Sequence, residues 1–313
     1  MNKLAFVFPG QGSQSVGMLS SLAEDHGSIK DDFARVSARL GYDLWHLVQE
    51  GPESKLNQTE YTQAAMLTAD VALFNLLYQM GFKPRAAFMA GHSLGEYAAL
   101  VCANALSLEE AAILVTKRGQ LMQHYVPLGQ GAMAAIVGLT DEEVSSLCSQ
   151  ISTKDASVSP ANFNAPGQVV IAGHLLAVEE AVRMAEAHNA RLAKIIPVSV
   201  PCHCPLLMDA AEAFADALQE APFKMPEVAV ISNVDLSVYQ SIDAMRKVLK
   251  QQLYSPVRWV ETIQLMKNQG VESVIECGPG KVLNGLVKRI ERSLSILSVN
   301  DPFSFEQALR INV

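Results

Sequence analysis

Five short apolar segments, separated by longer helical patterns, constrain the fold of this chain more than any other feature. They are rich in small or β-branched residues and span 4–8, 86–90, 228–232, 273–277 and 296–299. None alternates strictly between apolar and polar residues, which is typical of parallel strands buried on both faces. Helical patterns at 61–80, 107–123 and 205–220 lie between them. The sequence therefore predicts an α/β fold in which a parallel sheet has helices on both faces.

The middle third of the chain has a different pattern. A predicted strand at 131–138 is followed by Thr140 and Glu143, which form a capping box at the start of a helix. Strands at 157–163 and 168–172 flank a turn, and a helix at 177–188 and a strand at 192–200 follow. This β-α-β-β-α-β order is ferredoxin-like. We expect a small ferredoxin-like subdomain at 127–199, inserted into a large α/β hydrolase-like domain formed by 1–126 and 200–313.

Composition excludes several classes of protein. Half of the 313 residues are hydrophobic and 18% are charged, which indicates a globular chain. The net charge of −8 argues against a nucleic-acid partner. The N-terminus has no signal-peptide pattern and no apolar stretch is long enough for a membrane helix, so we expect a cytoplasmic protein without a membrane partner.

The five cysteines do not predict a disulfide framework or a metal site. Their number is odd and they are scattered along the chain. Cys202, His203 and Cys204 are consecutive, but no second pair of Cys or His lies at metal-binding spacing. We expect reduced thiols, no metal and no cofactor.

The strongest local signal is GHSLG at 91–95, between a predicted strand and a small apolar helix at 96–103. This G-x-S-x-G pattern in a strand–turn–helix context is typical of a nucleophile elbow, with Ser93 as the nucleophile. The helix start places the N–H of Leu94 where it can stabilise an oxyanion. The alternative is a serine that only caps the helix, and the context favours the nucleophile.

A nucleophilic serine needs a base, and His203 is the candidate because two prolines hold its turn between a strand and a helix. His92 is expected to point away from the elbow. Most single histidines are structural or face solvent, so position alone leaves the role of His203 open. No acidic residue is a clear partner for it. Asp209 or a backbone carbonyl could orient the ring.

Arg118 lies in the middle of the apolar stripe of a helix that begins with a predicted capping box of Ser107 and Glu110. A buried guanidinium must be paired, ideally with a carboxylate. The carboxylate can belong to the protein, in a structural ion pair, or to an anionic acyl group of a substrate. The sequence leaves both open.

Taken together, the motifs resemble those of the malonyl-CoA:acyl-carrier-protein transacylases of bacterial type II fatty acid synthesis, over essentially the whole chain. They are FPGQGSQ (8–14), GHSLGE (91–96), KRG (117–119), NFNAPGQ (162–168), VPCH (200–203), QLYSPV (252–257) and GPGKVL (278–283). Several motifs in the same order are far more specific than any one of them. The fold of that family agrees with the inserted subdomain predicted above.

The resemblance implies that Ser93 is the acyl nucleophile, His203 the general base and Arg118 the ligand of the malonyl carboxylate. It places Gln11, with the backbone N–H groups of Gln11 and Leu94, at the oxyanion hole.

The remaining implications concern substrate binding and partners. Asn162 and Gln252 are expected in the substrate site, with a main-chain carbonyl near Gln252 orienting the histidine. The implied reaction is ping-pong, from malonyl-CoA to the serine and then to the phosphopantetheine thiol of acyl carrier protein, with a monomeric enzyme. Relatives usually have Ser where Cys202 stands, which leaves the strictness of malonyl selectivity open.

Docking of an acidic carrier protein on an acidic enzyme needs a local basic patch. We expect it on the C-terminal helix, where the basic residues are Lys281, Lys288, Arg289 and Arg292.

Three other functions share some of these features. A serine hydrolase, either an esterase or a thioesterase, would share Ser93 and His203, but a buried arginine and a missing acid count against it. A catalytically silent scaffold for carrier proteins would not need all three residues. A nucleotide-binding protein is suggested by the glycine-rich FPGQGSQ loop, but the loop fits neither phosphate-binding motif.

Overall fold

The computed structural model describes residues 3–311, in which two separate sheets are found. The strands are β1 (Lys3–Phe8), β2 (Ala86–Gly91), β3 (Gly131–Val137), β4 (Val158–Ala165), β5 (Gln168–His174), β6 (Leu192–Ile196), β7 (Ala229–Val230), β8 (Val271–Cys277) and β9 (Ser295–Val299). The helices are α1 (Ser20–Asp25), α2 (Gly27–Leu40), α3 (Leu44–Glu50), α4 (Glu53–Leu56), α5 (Thr59–Gln79), α6 (Gly95–Cys102), α7 (Leu108–Tyr125), α8 (Asp141–Ile151), α9 (Leu175–Ala187), α10 (Met208–Glu220), α11 (Ile242–Gln252), α12 (Trp259–Asn268), α13 (Val282–Ile290) and α14 (Pro302–Leu309). A 3₁₀ turn, Pro205–Leu207, precedes α10.

The larger sheet is parallel and has the order β7-β2-β1-β8-β9. Phe6 and Phe8 of the central strand β1 belong to an apolar core shared with α5, α6 and α7. Ala5 and Val7 of the same strand belong to a second core, shared with α12 and α13. Both faces of β1 are therefore buried, which explains why its sequence does not alternate. The predicted α/β fold with helices on both faces is confirmed.

Two predicted strands are shorter than expected. The segment 228–232 forms only β7, because after Ile231 the backbone turns toward the elbow and the N–H of Asn233 donates to a side chain of α6 instead of a strand. The segment 192–200 forms only β6, which ends before Pro197. Proline has no N–H with which to continue a ladder.

The smaller sheet is antiparallel, with the order β4-β5-β3-β6. Helices α8 and α9 share its apolar core, so the predicted ferredoxin-like order of elements is confirmed. The capping box at α8 forms as predicted: the N–H of Glu143 donates to Thr140 Oγ1 (3.2 Å), and the N–H of Thr140 donates to Glu143 Oε2 (2.7 Å). The domain limits given above stay a prediction.

Only half of the second predicted capping box forms. The N–H of Glu110 donates to Ser107 Oγ at 3.3 Å, as expected at the start of α7. The carboxylate of Glu110 instead accepts a hydrogen bond from Arg39 on α2, at 2.8 Å. An ion pair between helices replaces the bond to the backbone.

Two backbone hydrogen bonds join the smaller sheet to the rest of the chain. The N–H of Phe163 in β4 donates to the carbonyl of Val257 (2.9 Å), and the N–H of Val257 donates to the carbonyl of Ala161 (2.9 Å). Asn162 lies between these two bonds and is held against the segment that joins α11 to α12.

No helix within 3–311 is long and apolar enough to cross a membrane.

Candidate active site

Ser93 lies in a sharp turn between β2 and α6 and has a φ of 53°. Few residues other than glycine adopt this conformation, and those that do concentrate at functional sites. The flanking glycines are required by close packing: a Cβ on Gly91 would lie 1.8 Å from the carbonyl carbon of Gly95, and one on Gly95 would lie 2.1 Å from the carbonyl oxygen of Phe8. The turn has the geometry of a nucleophile elbow, as the sequence predicts.

His203 is brought to this serine from the turn before α10. Its Nε2 lies 2.6 Å from Ser93 Oγ, and its Nδ1 lies 2.8 Å from the carbonyl oxygen of Gln252. A carbonyl oxygen can only accept, so Nδ1 carries the proton and the lone pair of Nε2 faces the serine hydroxyl. Of the two orienting groups considered above, the backbone carbonyl is the one present, and Asp209 is exposed on α10.

The imidazole of His203 is kept neutral by its surroundings. Its side chain is buried, and burial is the largest cause that lowers its pKa, to about 3; the nearby positive charge of Arg118 lowers it further. A neutral ring with a free lone pair can accept the serine proton.

Arg118 is buried, as predicted, but no carboxylate of the protein pairs with it. Its Nη1 donates to Oε1 of Gln63 (2.9 Å) and its Nη2 donates to Oε1 of Gln252 (3.1 Å). No ion pair of Arg118 is found within 3–311, and its Nε has no hydrogen-bond partner there. A buried cation whose hydrogen-bond partners are neutral amides is ready to bind an anion. Of the two alternatives, the structural ion pair is excluded for the described residues.

A cavity of about 210 Å³ brings these groups together. The predicted site residues in its lining are Gln11, Ser93, Leu94, Arg118, Asn162 and His203. Gln252 is not in the lining: its side chain is 1% exposed and lies behind Arg118. It contacts the site residues instead of the space that a substrate would occupy.

The glycine-rich FPGQGSQ loop runs beside the elbow. A Cβ on Gly10 would lie 2.4 Å from the carbonyl oxygen of His92, so only glycine permits this approach. The side-chain amide of Gln11 is hydrogen-bonded to Thr59. Within 3–311, the backbone N–H groups of Gln11 and Leu94 donate to no other residue, and both residues line the cavity.

His92 points away from the serine, as expected. Its Nε2 is 2.8 Å from Asn164 Oδ1 and its ring packs against Trp259 at a centroid distance of 5.4 Å. Cys202, the residue that departs from the family pattern, also lines the cavity. Within 3–311, no group of three or more His, Cys, Asp or Glu side chains is arranged to hold a metal ion.

Three residues that hold the site were not predicted from the sequence. Asn233 Oδ1 accepts from the N–H of Ser93, and its Nδ2 donates to the carbonyl of Gly91, both at 2.7 Å. Gln63 holds Arg118, as described above. Glu96 is fully buried in α6, and burial raises its pKa to about 7, although hydrogen bonds from Tyr239, Gln252 and Asn233 oppose this. A lone carboxylate in an apolar helix is a signal that could have identified Glu96.

The expected basic patch is not confined to one helix. Lys288 and Arg289 lie in the last turn of α13, Lys281 precedes that helix and Arg292 follows it. The C-terminal helix is instead α14. Arg289 and Arg292 line an open groove together with Arg191, which was not among the predicted residues of the patch. The use of this patch for docking stays a prediction.

An α/β fold with a serine elbow, a neutral histidine on the serine and a free buried cation beside them defines a serine-dependent acyl-transfer enzyme. The family model described as acyl transferase domain matches residues 5–300. The chain belongs to this acyltransferase family, so the enzyme class predicted from the sequence is confirmed.

Relatives over the full length have more specific names. The malonyl CoA-acyl carrier protein transacylase of Escherichia coli strain K12 is 49% identical over 311 residues, which cover 99% of this chain and 100% of that protein. The protein of the same name from Bacillus subtilis strain 168 is 41% identical over 310 residues, covering 99% and 97%.

Solved structures agree with the fold. The malonyl CoA-acyl carrier protein transacylase of Coxiella burnetii superposes with a TM-score of 0.96 at 48% identity, covering 99% of this chain and 97% of that one. A malonyl-transacylase solved in complex with a type II polyketide synthase acyl-carrier protein gives a TM-score of 0.97 at 48% identity, covering 99% and 100%.

Proposed function

We propose that this enzyme transfers the malonyl group from malonyl-CoA to the phosphopantetheine thiol of acyl carrier protein through a malonyl-Ser93 intermediate. The observation that carries this proposal is the buried guanidinium of Arg118, which shares a cavity with Ser93 and His203 and whose hydrogen-bond partners within 3–311 are amide oxygens. A malonyl group has one carboxylate to pair with that cation. The names of the full-length relatives support the same substrate and acceptor.

In the first half-reaction, the Oγ of Ser93 attacks the thioester carbonyl while its proton passes to Nε2 of His203. The tetrahedral intermediate collapses by breaking the carbon–sulfur bond, and the proton on His203 goes to the departing thiolate of coenzyme A. The short Ser93–His203 contact of 2.6 Å supports direct proton transfer.

The negative charge that develops on the carbonyl oxygen needs hydrogen-bond donors. We assign this role to the backbone N–H groups of Gln11 and Leu94, which line the cavity beside Ser93. Donors fixed before the reaction lower the barrier because they do not have to reorganise. Asn233 contributes indirectly, since it holds the Ser93 N–H and the end of β2 in place.

In the second half-reaction, the carrier-protein thiol gives its proton to Nε2 of His203 and attacks the malonyl ester. The ester bond to Ser93 breaks, and the serine oxygen takes the proton back from the histidine.

Arg118 holds the malonyl carboxylate in both half-reactions. Burial is the main cause of the low pKa of His203 and the charge of Arg118 is the second; a bound carboxylate offsets that second cause, so the base becomes stronger in the complex.

Transfer to the carrier protein is tested with its holo form, which has the phosphopantetheine thiol, and its apo form. The enzyme is incubated with radiolabelled malonyl-CoA and either the holo carrier protein or its apo form, which lacks the thiol. We expect label on the holo form only. Free malonate formed at the same rate with either form would indicate a hydrolase and contradict the proposal. A monomeric state and a cytoplasmic location stay predictions.

A further inference from the structure

Glu96 is fully buried directly after the elbow, yet the mechanism above does not use it. Its carboxylate is contacted by three groups: Nε2 of Gln252 at 2.5 Å, the backbone N–H of Asn233 at 3.3 Å, and the hydroxyl of Tyr239. Two of these partners, Gln252 and Asn233, also contact the site described above. The carboxylate therefore lies where two parts of the active site meet.

The Gln252 amide is held between Arg118 and Glu96. Its Oε1 accepts from Arg118 at 3.1 Å, and its Nε2 donates to Glu96 and, at 3.1 Å, to the carbonyl of Ser93. The guanidinium can only donate, and Oε2 of Glu96 accepts from both Gln252 and Asn233, so one orientation of the amide satisfies both neighbours. The carbonyl of the same residue holds His203.

We propose that Glu96 is a positioning residue for acyl selectivity: it holds the Gln252 amide with its oxygen toward Arg118 and so keeps the guanidinium facing the acyl cavity. This inference rests on the proposed function, because it assumes that Arg118 binds the substrate carboxylate. Without an acceptor at Glu96, the Gln252 nitrogen loses its 2.5 Å bond and is left with the 3.1 Å bond to the carbonyl of Ser93, so the amide can move away from the cation. Arg118 then loses one of its two hydrogen bonds.

Glu96 also supports the nucleophile, through Asn233. A change at Glu96 is therefore expected to slow the acylation of Ser93 by any acyl group. The effect on selectivity is separated from this general effect by a ratio. The ratio compares the acylation rate with malonyl-CoA and the rate with acetyl-CoA, which has no carboxylate for Arg118.

Two variants of similar volume differ in the acceptor oxygen. Glu96→Gln keeps an oxygen for Gln252 and Asn233 and turns its NH₂ group to Tyr239, whereas Glu96→Met has no strong acceptor. Acylation of Ser93 is followed by intact-mass spectrometry with both substrates. We expect Glu96→Met to lower the malonyl-to-acetyl ratio at least about tenfold. We expect Glu96→Gln to keep the ratio within about threefold of the original protein.

Two outcomes would overturn the proposal. One is a malonyl-to-acetyl ratio that does not change in Glu96→Met. The other is a ratio that falls as much in Glu96→Gln as in Glu96→Met. If Glu96→Met does not fold, the double variant Glu96→Met/Tyr239→Phe removes one orphaned donor and is tested in its place. Arg118→Ala serves as the reference. If the malonyl-to-acetyl ratio falls in Arg118→Ala and is unchanged in Glu96→Met, the role proposed for Glu96 is wrong and the role of Arg118 stands. If the unaltered enzyme forms no malonyl adduct, the proposed function itself fails.

Discussion

The Oγ of Ser93 and the Nε2 of His203 lie 2.6 Å apart, and both residues have a positive φ, 53° and 63° respectively. Side chains other than glycine seldom adopt this conformation, and each instance costs of order 1–3 kcal/mol. The N–H of His203 donates to the carbonyl of Leu253 at 3.0 Å, and the next carbonyl back, that of Gln252, accepts from its ring. One segment thus fixes both the backbone and the ring of the histidine.

The first prediction concerns the pH dependence of acylation. His203 acts as a base only when it is neutral, so activity is present above its pKa in the folded protein and is lost as the pH falls through it. Because that pKa is lowered from 6.5 to about 3, kcat/KM for malonyl-CoA should show no loss near pH 6.5 that arises from His203. The rate is measured by rapid quenching and mass spectrometry, with folding checked at each pH. Removing the positive charge in Arg118→Ala should raise the pKa of His203, so the acid limb of the pH profile, measured with acetyl-CoA, should move toward higher pH. An acid limb that does not move would contradict this electrostatic account.

The second prediction concerns the removal of the buried cation. Arg118→Ala should lower acylation by malonyl-CoA about a hundredfold or more, because the substrate carboxylate then enters the cavity without a partner. Acylation by acetyl-CoA should fall much less. Lys117→Ala is the matched control, since it removes a positive charge from the exposed side of the same helix turn. Equal losses with both substrates would show that Arg118 does not bind the carboxylate.

The third prediction uses a carboxylate supplied by the protein. Gln63 accepts a hydrogen bond from Arg118 at 2.9 Å, so Gln63→Glu would place an internal anion on the cation. This anion competes with the malonyl carboxylate and should raise the KM for malonyl-CoA about tenfold, with little change for acetyl-CoA. Steady-state kinetics with the two substrates measure the effect. A KM that rises equally for both would mean that the substitution distorts the cavity and does not neutralise Arg118.

The fourth prediction concerns two glycines with opposite surroundings. A Cβ on Gly95 would lie 2.1 Å from the carbonyl oxygen of Phe8, whereas one on Gly285, exposed in α13, meets nothing within 4 Å. Gly95→Ala should lower the free energy of unfolding by about 3 kcal/mol, because backbone must move. Gly285→Ala should raise it by about 0.5–1 kcal/mol, because alanine is the better helix former. Urea unfolding measures both, and similar effects at the two positions would contradict the packing of the elbow.

Local patterns in the sequence predict most of the fold. The helix predicted at 61–80 is observed as Thr59–Gln79, and the capping box of Thr140 and Glu143 forms as predicted. These features depend on residues a few positions apart, for which periodicity and capping are informative. The edge strand β7 is shorter than predicted. The chain just after it is used to hold the elbow, because Asn233 accepts a hydrogen bond from Ser93, which lies 140 residues away in the sequence.

In the candidate site too, features that depend on neighbouring residues were predicted and features that depend on distant residues were not. The elbow is a local pattern, and the burial of Arg118 follows from its position in an apolar stripe. The partners of Arg118, Gln63 and Gln252, could not be predicted from a local pattern, because they lie 55 and 134 residues away and glutamine is common on surfaces. The neutral partners are known only once the helices are packed together.

The most direct test of the central claim is the mass of the protein after incubation with malonyl-CoA. We expect one added malonyl group on the unaltered enzyme, located on Ser93 by peptide mapping, and none on Ser93→Ala. The adduct should disappear when the holo carrier protein is added. An undiminished adduct on Ser93→Ala, or an adduct that the carrier thiol does not discharge, would contradict the account.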